Sequence, residues 1–458
     1  MTFLNQKKLG LTLGFGGVFF VFGIIYLGLI PPLQVPDEVA HFQKAVQVSQ
    51  GIFLGQTEEL LPQKLGDFSL YFSNLPFHSA IKVTGEQRKY LSDNLFRKTK
   101  WAEEPNKVFH NHISAVYPPT GYLLSGLGIA AARALNQSEV LIFYAGRLMN
   151  LLFAVLSFLI CFHFSKGFYR FSILIISFLP MFIFEAASFS ADSVLNSLAL
   201  YLVFMASIFE NSSFIPFRKQ TFFCLVSACF SLTKLLYGFI PLSLLFLRPT
   251  SKTNRWQNRS LFFMTAASCF LPIGVWFLTS GHIAQVSRTE PSVNPALQLS
   301  YILQNPVHYF LILLKTFITK LWFYAHTGIG SFGWLDTPLP KIITYLYFVF
   351  VLFTVIVWQE ESRVSKLSRM ALLLGFFITF SAFSTAIYLT WTELKSSVVD
   401  GVQGRYFIPC LGSLFLAIRS LFPKPKLGDR NLRIWLYSNL SLHGLSFFLI
   451  FRRFWMGS

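Results

Sequence analysis

Long runs of apolar residues without a single charge recur along this chain and constrain its fold more than any other feature. The runs at 11–30, 261–279 and 371–390 contain no Asp, Glu, Lys or Arg. A run of about 18 such residues is enough for a helix to cross the hydrocarbon core of a bilayer. The apolar residues are continuous and do not alternate with polar ones, which excludes a transmembrane β-barrel. The sequence therefore predicts an all-α integral membrane protein.

The charged residues lie mostly between these runs and indicate how the chain is threaded. Only 13% of the residues are charged, and the net charge of +18 comes from short basic clusters. Such clusters are typical of cytoplasmic loops, so we predict no nucleic-acid partner. Lys7 and Lys8 precede the first run, which predicts a cytoplasmic N-terminus. A final span from residue 434 would place Arg452 and Arg453 outside, against the charge rule.

Alternating the runs across the bilayer predicts a single polytopic domain, residues 1–458, with about 10–12 transmembrane helices. Two long segments, 31–138 and 281–340, then form extracytoplasmic loops. We expect residues 118–135 to form an interfacial or re-entrant helix, because a full crossing would place the basic loop at 165–170 outside. All but four of the 20 acidic residues lie at or beyond the outer ends of the runs. Their one-sided distribution predicts that the chemistry is extracytoplasmic.

Three segments carry more specific expectations. Residues 58–104, which are mixed and charged, should form a small helical subdomain or an ordered loop. Residues 171–188 should form one outward span. Residues 221–247 should form two short helices, with a break at Thr233-Lys234, because a lysine is costly in the middle of an apolar run.

The segment 36–41 directly follows the first span and carries the first candidates for catalysis. Pro36 suits the first position of a helix, which would place Asp37 and Glu38 in the first turn, where the helix dipole favours negative charge. His41 lies one helical turn after Asp37 and on the same face. An ionised Asp37 beside an imidazole predicts a catalytic base, with Glu38 and His41 as further catalytic candidates. A charged helix start at the membrane interface fits the same residues.

Later in the chain, three motifs provide candidates for substrate binding. Asp192 lies at a tight outer turn, where it can also serve as a helix N-cap. Lys234 interrupts an apolar run, where charge is usually functional, although its side chain can also extend to the interface. Arg405 offers a bidentate fork for phosphate and has Gln403 and Tyr406 beside it; an interfacial anchor is the plainer interpretation.

Four weaker candidates complete the predicted substrate site. Arg147 lies within a span, where an ion pair with Glu185 is the simplest interpretation. Tyr117 begins a rigid aromatic turn that would shape a substrate groove or merely start a helix. Trp334 and Asp336 would bind sugar by stacking and hydrogen bonding, although tryptophan is common at membrane interfaces.

Five motifs occur in order along most of the chain and together resemble a known superfamily. They are Pro36-Asp37-Glu38…His41, Tyr117-Pro118-Pro119…Gly121-Tyr122, Ser190-Ala191-Asp192-Ser193, Gly333-Trp334-Leu335-Asp336-Thr337 and Gly401-Val402-Gln403-Gly404-Arg405-Tyr406-Phe407. The set resembles the GT-C superfamily of polytopic glycosyltransferases and, more narrowly, a bacterial family described only as a predicted membrane protein of unknown function. The resemblance implies a GT-C-like helical bundle with a long first extracytoplasmic loop.

The same resemblance implies roles for particular residues. Asp37 matches the acidic residue of the superfamily's first loop, the usual general base, and Glu38 and His41 fit neighbouring family positions. Some relatives use a divalent cation such as Mg or Mn, for which Asp37, His41 and Asp192 are the candidate ligands here. No metal-specific spacing is present, so the cofactor stays open.

We therefore predict a glycosyltransferase in a bacterial plasma membrane, acting on the extracytoplasmic face. Its partners would be a lipid-linked sugar donor, membrane lipid, and an envelope glycan, lipid or protein as acceptor. Asp37 would deprotonate the acceptor hydroxyl, while Arg405 and Lys234 would hold the departing lipid phosphate. The rival hypothesis is a transporter or flippase of lipid-linked saccharides. A scaffold subunit of an envelope-polysaccharide complex, with an inactive site, is a third.

Overall fold

The computed structural model is almost entirely helical, and it describes residues 3–55, 58–76, 78–110, 114–248, 255–280, 292–357, 364–419, 421 and 429–456. Within these ranges there are nineteen α-helices, numbered in chain order: α1 Phe3–Leu29, α2 Glu38–Ser49, α3 Gln63–Tyr71, α4 Gly85–Asn94, α5 Leu123–Ala134, α6 Glu139–Phe164, α7 Gly167–Ser177, α8 Pro180–Ala186, α9 Ala191–Asn211, α10 Phe217–Thr233, α11 Phe239–Leu244, α12 Arg255–Ser280, α13 Pro295–Gln304, α14 Pro306–Thr319, α15 Leu321–Gly330, α16 Lys341–Ile356, α17 Lys366–Thr390, α18 Leu411–Ile418 and α19 Asp429–Phe454. Residues 281–291 of the expected second loop lie outside the described part.

Two small antiparallel sheets accompany the helices. One pairs β1, Glu58–Pro62, with β2, Asn106–His110. The other is a hairpin of β3, Ser331–Phe332, with β4, Thr337–Pro338. The first sheet closes the segment that we expected to be a helical subdomain or ordered loop, with α3 and α4 between its strands. That segment is therefore ordered, but it is not purely helical.

In the described part of the chain, six helices are long and apolar enough to cross a membrane: Lys8–Leu29, Glu139–Phe164, Ala191–Asn211, Arg255–Ser280, Lys366–Thr390 and Ile434–Phe454. A seventh crossing results if the bent pair α7 and α8 is counted as one span. This architecture confirms the prediction of an all-α membrane protein. Fewer helices qualify than the predicted ten to twelve, because several apolar segments form helices of only 10–17 residues: Leu123–Ala134, Pro306–Thr319, Lys341–Ile356 and Gly404–Ile418.

Helix α9 lies at the centre of the bundle. In its apolar stretch 78% of the residues are buried inside the protein, against 28% in the first span and 28% in α12. It packs against α6, α10 and α7. The start of α9 is therefore enclosed by other helices, and polar residues there must find partners within the protein.

Two apolar runs are broken within the bundle, and only one break follows the expectation. Residues 171–188 do not form one straight helix, because α7 and α8 meet at an angle of 67°. Pro180 causes this break, since a residue before proline disfavours helical geometry and Leu179 is extended, with ψ 130°. The run 221–247 breaks where expected: α10 ends at Thr233, and Lys234 is extended.

Both ends of the short helix α5 contact other residues of the segment 31–138. At its start, the Tyr122 hydroxyl lies 2.7 Å from Nδ1 of His41. Just beyond its end, the Asn136 carbonyl accepts a hydrogen bond from the backbone amide of Thr99, 2.9 Å away. His41 and Thr99 both belong to the segment 31–138, so each end of α5 contacts that segment, and the expected interfacial or re-entrant placement of α5 stays a prediction.

The C-terminal end of α19 lies beside the same segment. Arg453 pairs with Asp336 at 2.7 Å, and its guanidinium also donates to the carbonyls of Leu75, His78 and Ile81. The predicted extracytoplasmic position of Arg453 is unfavourable under the charge rule. The ion pair of Arg453 with Asp336, on the β3–β4 hairpin, offsets this. Below, the side of the bundle that carries segment 31–138 is called the loop face.

Candidate active site

Charged side chains from four distant segments meet at the loop face. The Lys234 ammonium lies 2.6 Å from Oδ1 of Asp192, and the Arg405 guanidinium lies 3.6 Å from Oδ2 of Asp37. His41 interacts electrostatically with all four of these residues. We call Asp37, His41, Asp192, Lys234 and Arg405 the charged cluster. The sequence separations of its members therefore do not prevent them from forming one site.

Asp37 enters this cluster in an unusual backbone conformation. Its φ is 62° and its ψ is 9°, the left-handed region that aspartate tolerates better than most residues. Helix α2 consequently begins at Glu38, and the expected helix start at Pro36 is wrong. The side chain of Asp37 makes no cap hydrogen bond and remains 34% exposed. A carboxylate that is strained, partly open and beside a cation is a candidate reactive group.

His41 is buried and neutral. Its Nδ1 lies 2.7 Å from the hydroxyl of Tyr122, and its ring stacks on Tyr117 with a centroid distance of 6.2 Å. Burial lowers the pKa of His41 to about 4, although the nearby carboxylates Asp37 and Asp192 oppose that shift. Burial likewise raises the pKa of Tyr117. Tyr117 therefore joins the site as the wall behind His41.

The ion pair of Asp192 and Lys234 joins the start of α9 to the end of α10. Ser190, and not Asp192, caps α9, because its hydroxyl accepts the Asp192 amide at 3.2 Å. This leaves the Asp192 carboxylate for Lys234. The Lys234 ammonium also lies 5.0 Å from the ring centroid of Tyr406, so the Lys234 side chain is directed into the cluster.

Arg405 lies in the 3₁₀ helix Gly404–Cys410 and retains a donor that none of the described residues uses. Its Nε is buried and has no hydrogen-bond partner among the residues that the structure describes. Its contact with Asp37 is longer than a hydrogen bond. The Gln403 side-chain oxygen beside it is also buried without a partner within the described ranges. A buried arginine with free donors is typical of a site for a phosphate or carboxylate ligand.

The glycines flanking Arg405 have different roles. Gly401 has φ +99°, which other residues rarely adopt. A Cβ at Gly404 would overlap the carbonyl oxygen of Tyr324 on α15, and the Gly404 amide donates to the Thr327 hydroxyl at 2.7 Å. The close approach allowed by Gly404 is therefore to α15, which fixes the position of Arg405.

Glu38 has a structural partner. The Arg147 guanidinium donates to both of its carboxylate oxygens, at 2.9 and 2.6 Å, and both side chains are fully buried. Glu38 also accepts the Phe189 amide at 3.1 Å. The expected pair of Arg147 with Glu185 is therefore wrong. Arg147 anchors the start of α2 to α6, which positions Asp37 one residue away.

Glu185 instead lies next to the charged cluster. Asn196 donates to its Oε2 at 2.8 Å, and it interacts electrostatically with Asp192, Arg405 and Lys234. The sequence feature that marks Glu185 is a carboxylate inside an apolar run. We interpret that carboxylate, from the sequence alone, as the ion-pair partner of Arg147. Glu185 lies on α8, after the break at Pro180, and its hydrogen bond with Asn196 places it beside the first turns of α9.

Trp334 and Asp336 belong to the β3–β4 hairpin and not to the charged cluster. The Asp336 carboxylate is engaged by Arg453 at 2.7 Å and interacts with Lys82. A sugar-binding role for Asp336 would require that this pair open. The described contacts of Asp336 therefore indicate that it ties α19 to the loop face.

The predicted metal ligands do not form a metal site. Asp37 faces Arg405, His41 contacts Tyr122 through Nδ1, and Asp192 is occupied by Lys234. No three His, Cys, Asp or Glu side chains in the described part of the chain are arranged to hold a metal ion. Two cations already balance the carboxylates, so this set of donors does not fit Mg or Mn.

A family profile described as "Predicted membrane protein (DUF2142)" matches residues 20–414. The chain belongs to the DUF2142 family. No curated protein and no solved structure matches it. The DUF2142 match includes every member of the charged cluster and ends within α18, so α19 follows it.

This DUF2142 protein has an apolar groove of about 480 Å³ whose lining includes residues next in sequence to Tyr117 and close in sequence to Lys234. One wall is Pro118–Thr120, directly after Tyr117; another is Leu232, two residues before Lys234. Helix α12 supplies the third wall, including Leu271 and Trp276. The groove is therefore lined by membrane-facing apolar residues and by neighbours in sequence of Tyr117 and Lys234.

Proposed function

We propose that the protein is a glycosyltransferase of the GT-C type that takes a sugar from a polyprenyl-phosphate donor at the loop face. The observation that supports this most is the charged cluster, where a partly exposed carboxylate and two cations meet. Asp37 supplies the base, and Lys234 and Arg405 supply positive charge for a phosphate.

The apolar groove supports a lipid-linked donor over a soluble one. It lies within a few residues of Tyr117 and Lys234, and its walls are apolar along Leu232 and α12. Leu271 is 68% exposed and Val275 60% exposed, as expected for side chains that meet lipid. A polyprenyl chain in this groove would place its phosphate at Lys234.

The reaction follows from the positions of these groups. The oxygen of the acceptor hydroxyl attacks the anomeric carbon, and Asp37 takes its proton. The bond between that carbon and the phosphate oxygen breaks, and its electron pair goes to the phosphate, giving inversion at the sugar. Arg405 and Lys234 stabilise the charge that develops there. Neutral His41 orders Tyr122 and Tyr117 behind the reacting groups.

The enzyme would act in the plasma membrane of a bacterium, with the N-terminus in the cytoplasm and the loop face outside. The basic residues support this orientation, since Lys8, Lys166 and Arg170 interact at the opposite end of the bundle. An envelope glycan, lipid or protein would then be the acceptor.

Transfer from a labelled polyprenyl-phosphate sugar in membranes tests the proposal. We expect Asp37→Asn to lower transfer by about a hundredfold or more, because it removes the base. Asp67→Asn, an exposed carboxylate of the same segment, should leave transfer unchanged. Full transfer by Asp37→Asn would refute the assignment of the base. Movement of the intact lipid-linked sugar across the bilayer without cleavage would instead identify a flippase.

A further inference from the structure

A second charged site lies at the opposite end of the bundle, where three cations meet and none of the described carboxylates pairs with them. Lys8 on α1 interacts with Lys166 and Arg170, and His163 at the end of α6 interacts with Lys8 and Arg170. No carboxylate in the described ranges forms an ion pair with these four side chains. The carboxylate of Glu210, on the same side, is engaged by Arg419 and Tyr169. Like charges at close range are unfavourable unless an anion joins them.

The side chains of this basic site are held in place by local contacts. The Arg170 guanidinium lies 4.2 Å from the ring centroid of Phe162, and one terminal nitrogen lies 3.5 Å from the Thr12 hydroxyl. That hydroxyl is 3.3 Å from Nδ1 of His163. The Nε of Arg170 is buried and has no partner among the described residues. Arg170 is therefore preorganised, yet part of its donor capacity is unused.

The start of α7 contributes a second feature that favours an anion. Lys166 precedes this 11-residue helix in an extended conformation, and its side chain does not cap the helix. Gly167 begins the helix with φ +51°. The dipole of a helix N-terminus favours phosphate. The Ser165 hydroxyl just before it is buried without a hydrogen-bond partner in the part of the chain that is described.

The surroundings of the basic site are apolar and exposed. Phe164, next to His163, is 61% exposed, and Leu11 and Leu13, on either side of Thr12, are 49% and 57% exposed. In a membrane protein such side chains meet acyl chains. A ligand with a phosphate and hydrocarbon chains would contact both kinds of surface, whereas free phosphate would contact only the cations.

We propose that Lys8, Lys166 and Arg170 bind the phosphate of an anionic membrane lipid, such as a phosphatidylglycerol, at the face opposite the charged cluster. Basic residues between spans are suited to such head groups. The lipid would neutralise the repulsion among these cations and hold α1, α6 and α7 together. This site is independent of sugar transfer.

Native mass spectrometry of the full-length protein with phosphatidylglycerol tests the proposal. We expect Lys8→Gln combined with Arg170→Gln to weaken retention of phosphatidylglycerol by about tenfold or more, as loss of two basic contacts predicts. The matched control is Arg218→Gln with Lys219→Gln, exposed at the start of α10, which should change retention less than about twofold. Lys166→Gln should also weaken retention of phosphatidylglycerol. Because the Lys166 side chain is exposed, this weaker binding would not be attributed to misfolding.

Two competition experiments separate the sources of the anion. Phosphatidylcholine, which has the same chains but no net charge, should be retained poorly by the wild-type protein. Millimolar inorganic phosphate should not displace phosphatidylglycerol, because it lacks the acyl chains. Equal retention of both lipids, displacement by inorganic phosphate, or unchanged binding by both the Lys8→Gln, Arg170→Gln double variant and Lys166→Gln would each overturn the assignment.

Discussion

The pair of Glu38 and Arg147 offers a sharp test, because Glu38 lies next to the proposed base. Arg147 donates to both carboxylate oxygens, and neither side chain is exposed. Glu38→Gln keeps the shape but leaves the guanidinium charge without a counter-charge. Removing one partner of a buried ion pair costs about 3–5 kcal/mol. We therefore expect Glu38→Gln to unfold at a much lower denaturant concentration.

The assay is unfolding of detergent-solubilised protein, followed by tryptophan fluorescence. Glu86→Gln, in the exposed first turn of α4, is the matched control and should cost less than about 1 kcal/mol. Replacing both partners, Glu38→Leu with Arg147→Met, should restore part of the stability. Recovery will be incomplete, because the Phe189 amide and the Ile30 and Pro31 carbonyls lose their partners. A Glu38→Gln protein with wild-type stability and no sugar transfer would refute the structural role and make Glu38 catalytic.

Two further predictions concern pH and the hairpin. Burial lowers the pKa of His41 in the folded protein to about 4. As the pH falls below 6.5, His41 therefore takes up a proton in the unfolded chain before it does so in the folded protein. Unfolding free energy should therefore drop by about 2 kcal/mol between pH 7 and pH 5, and His41→Gln should flatten that dependence; equal slopes in the two proteins would contradict it. Asp336→Asn removes the counter-charge of Arg453 and should lower the free energy of unfolding by about 2 kcal/mol. It should also increase hydrogen exchange at the end of α19, while sugar transfer continues. Loss of transfer with unchanged stability would instead indicate that Asp336 binds sugar.

The members of the charged cluster could be found from the sequence because charge inside or beside apolar runs is expensive. Asp192, Lys234 and Arg405 stand out on that ground alone. The break at Lys234 was predictable for the same reason. Their meeting with Asp37 was not, because it depends on how α9, α10 and the Gly404–Cys410 helix pack.

The errors have physical causes as well. The sequence predicts that Arg147 pairs with Glu185, because the two residues lie at similar depth within their apolar runs. The partner of Arg147 is instead Glu38, 109 residues earlier, and no local pattern encodes that contact. The left-handed conformation of Asp37 also has no sequence signal, since Pro36 before it favours a helix start. The bend within residues 171–188 is not predicted, because their apolar character hides the effect of Pro180. Strands β1 and β2 pair across more than forty residues, which local periodicity cannot show.

The central claim is that Arg405 and Lys234 hold the phosphate of a lipid donor, and the affinity for a sugar-free polyprenyl phosphate in nanodiscs measures this directly. Arg405→Gln should bind at least about tenfold more weakly than wild type, since a hydrogen bond to a charged group contributes roughly 1.5–3 kcal/mol. Arg133→Gln, on α5 and outside the charged cluster, should bind like wild type. Equal affinity of Arg405→Gln and wild type, with both folded, would contradict the account.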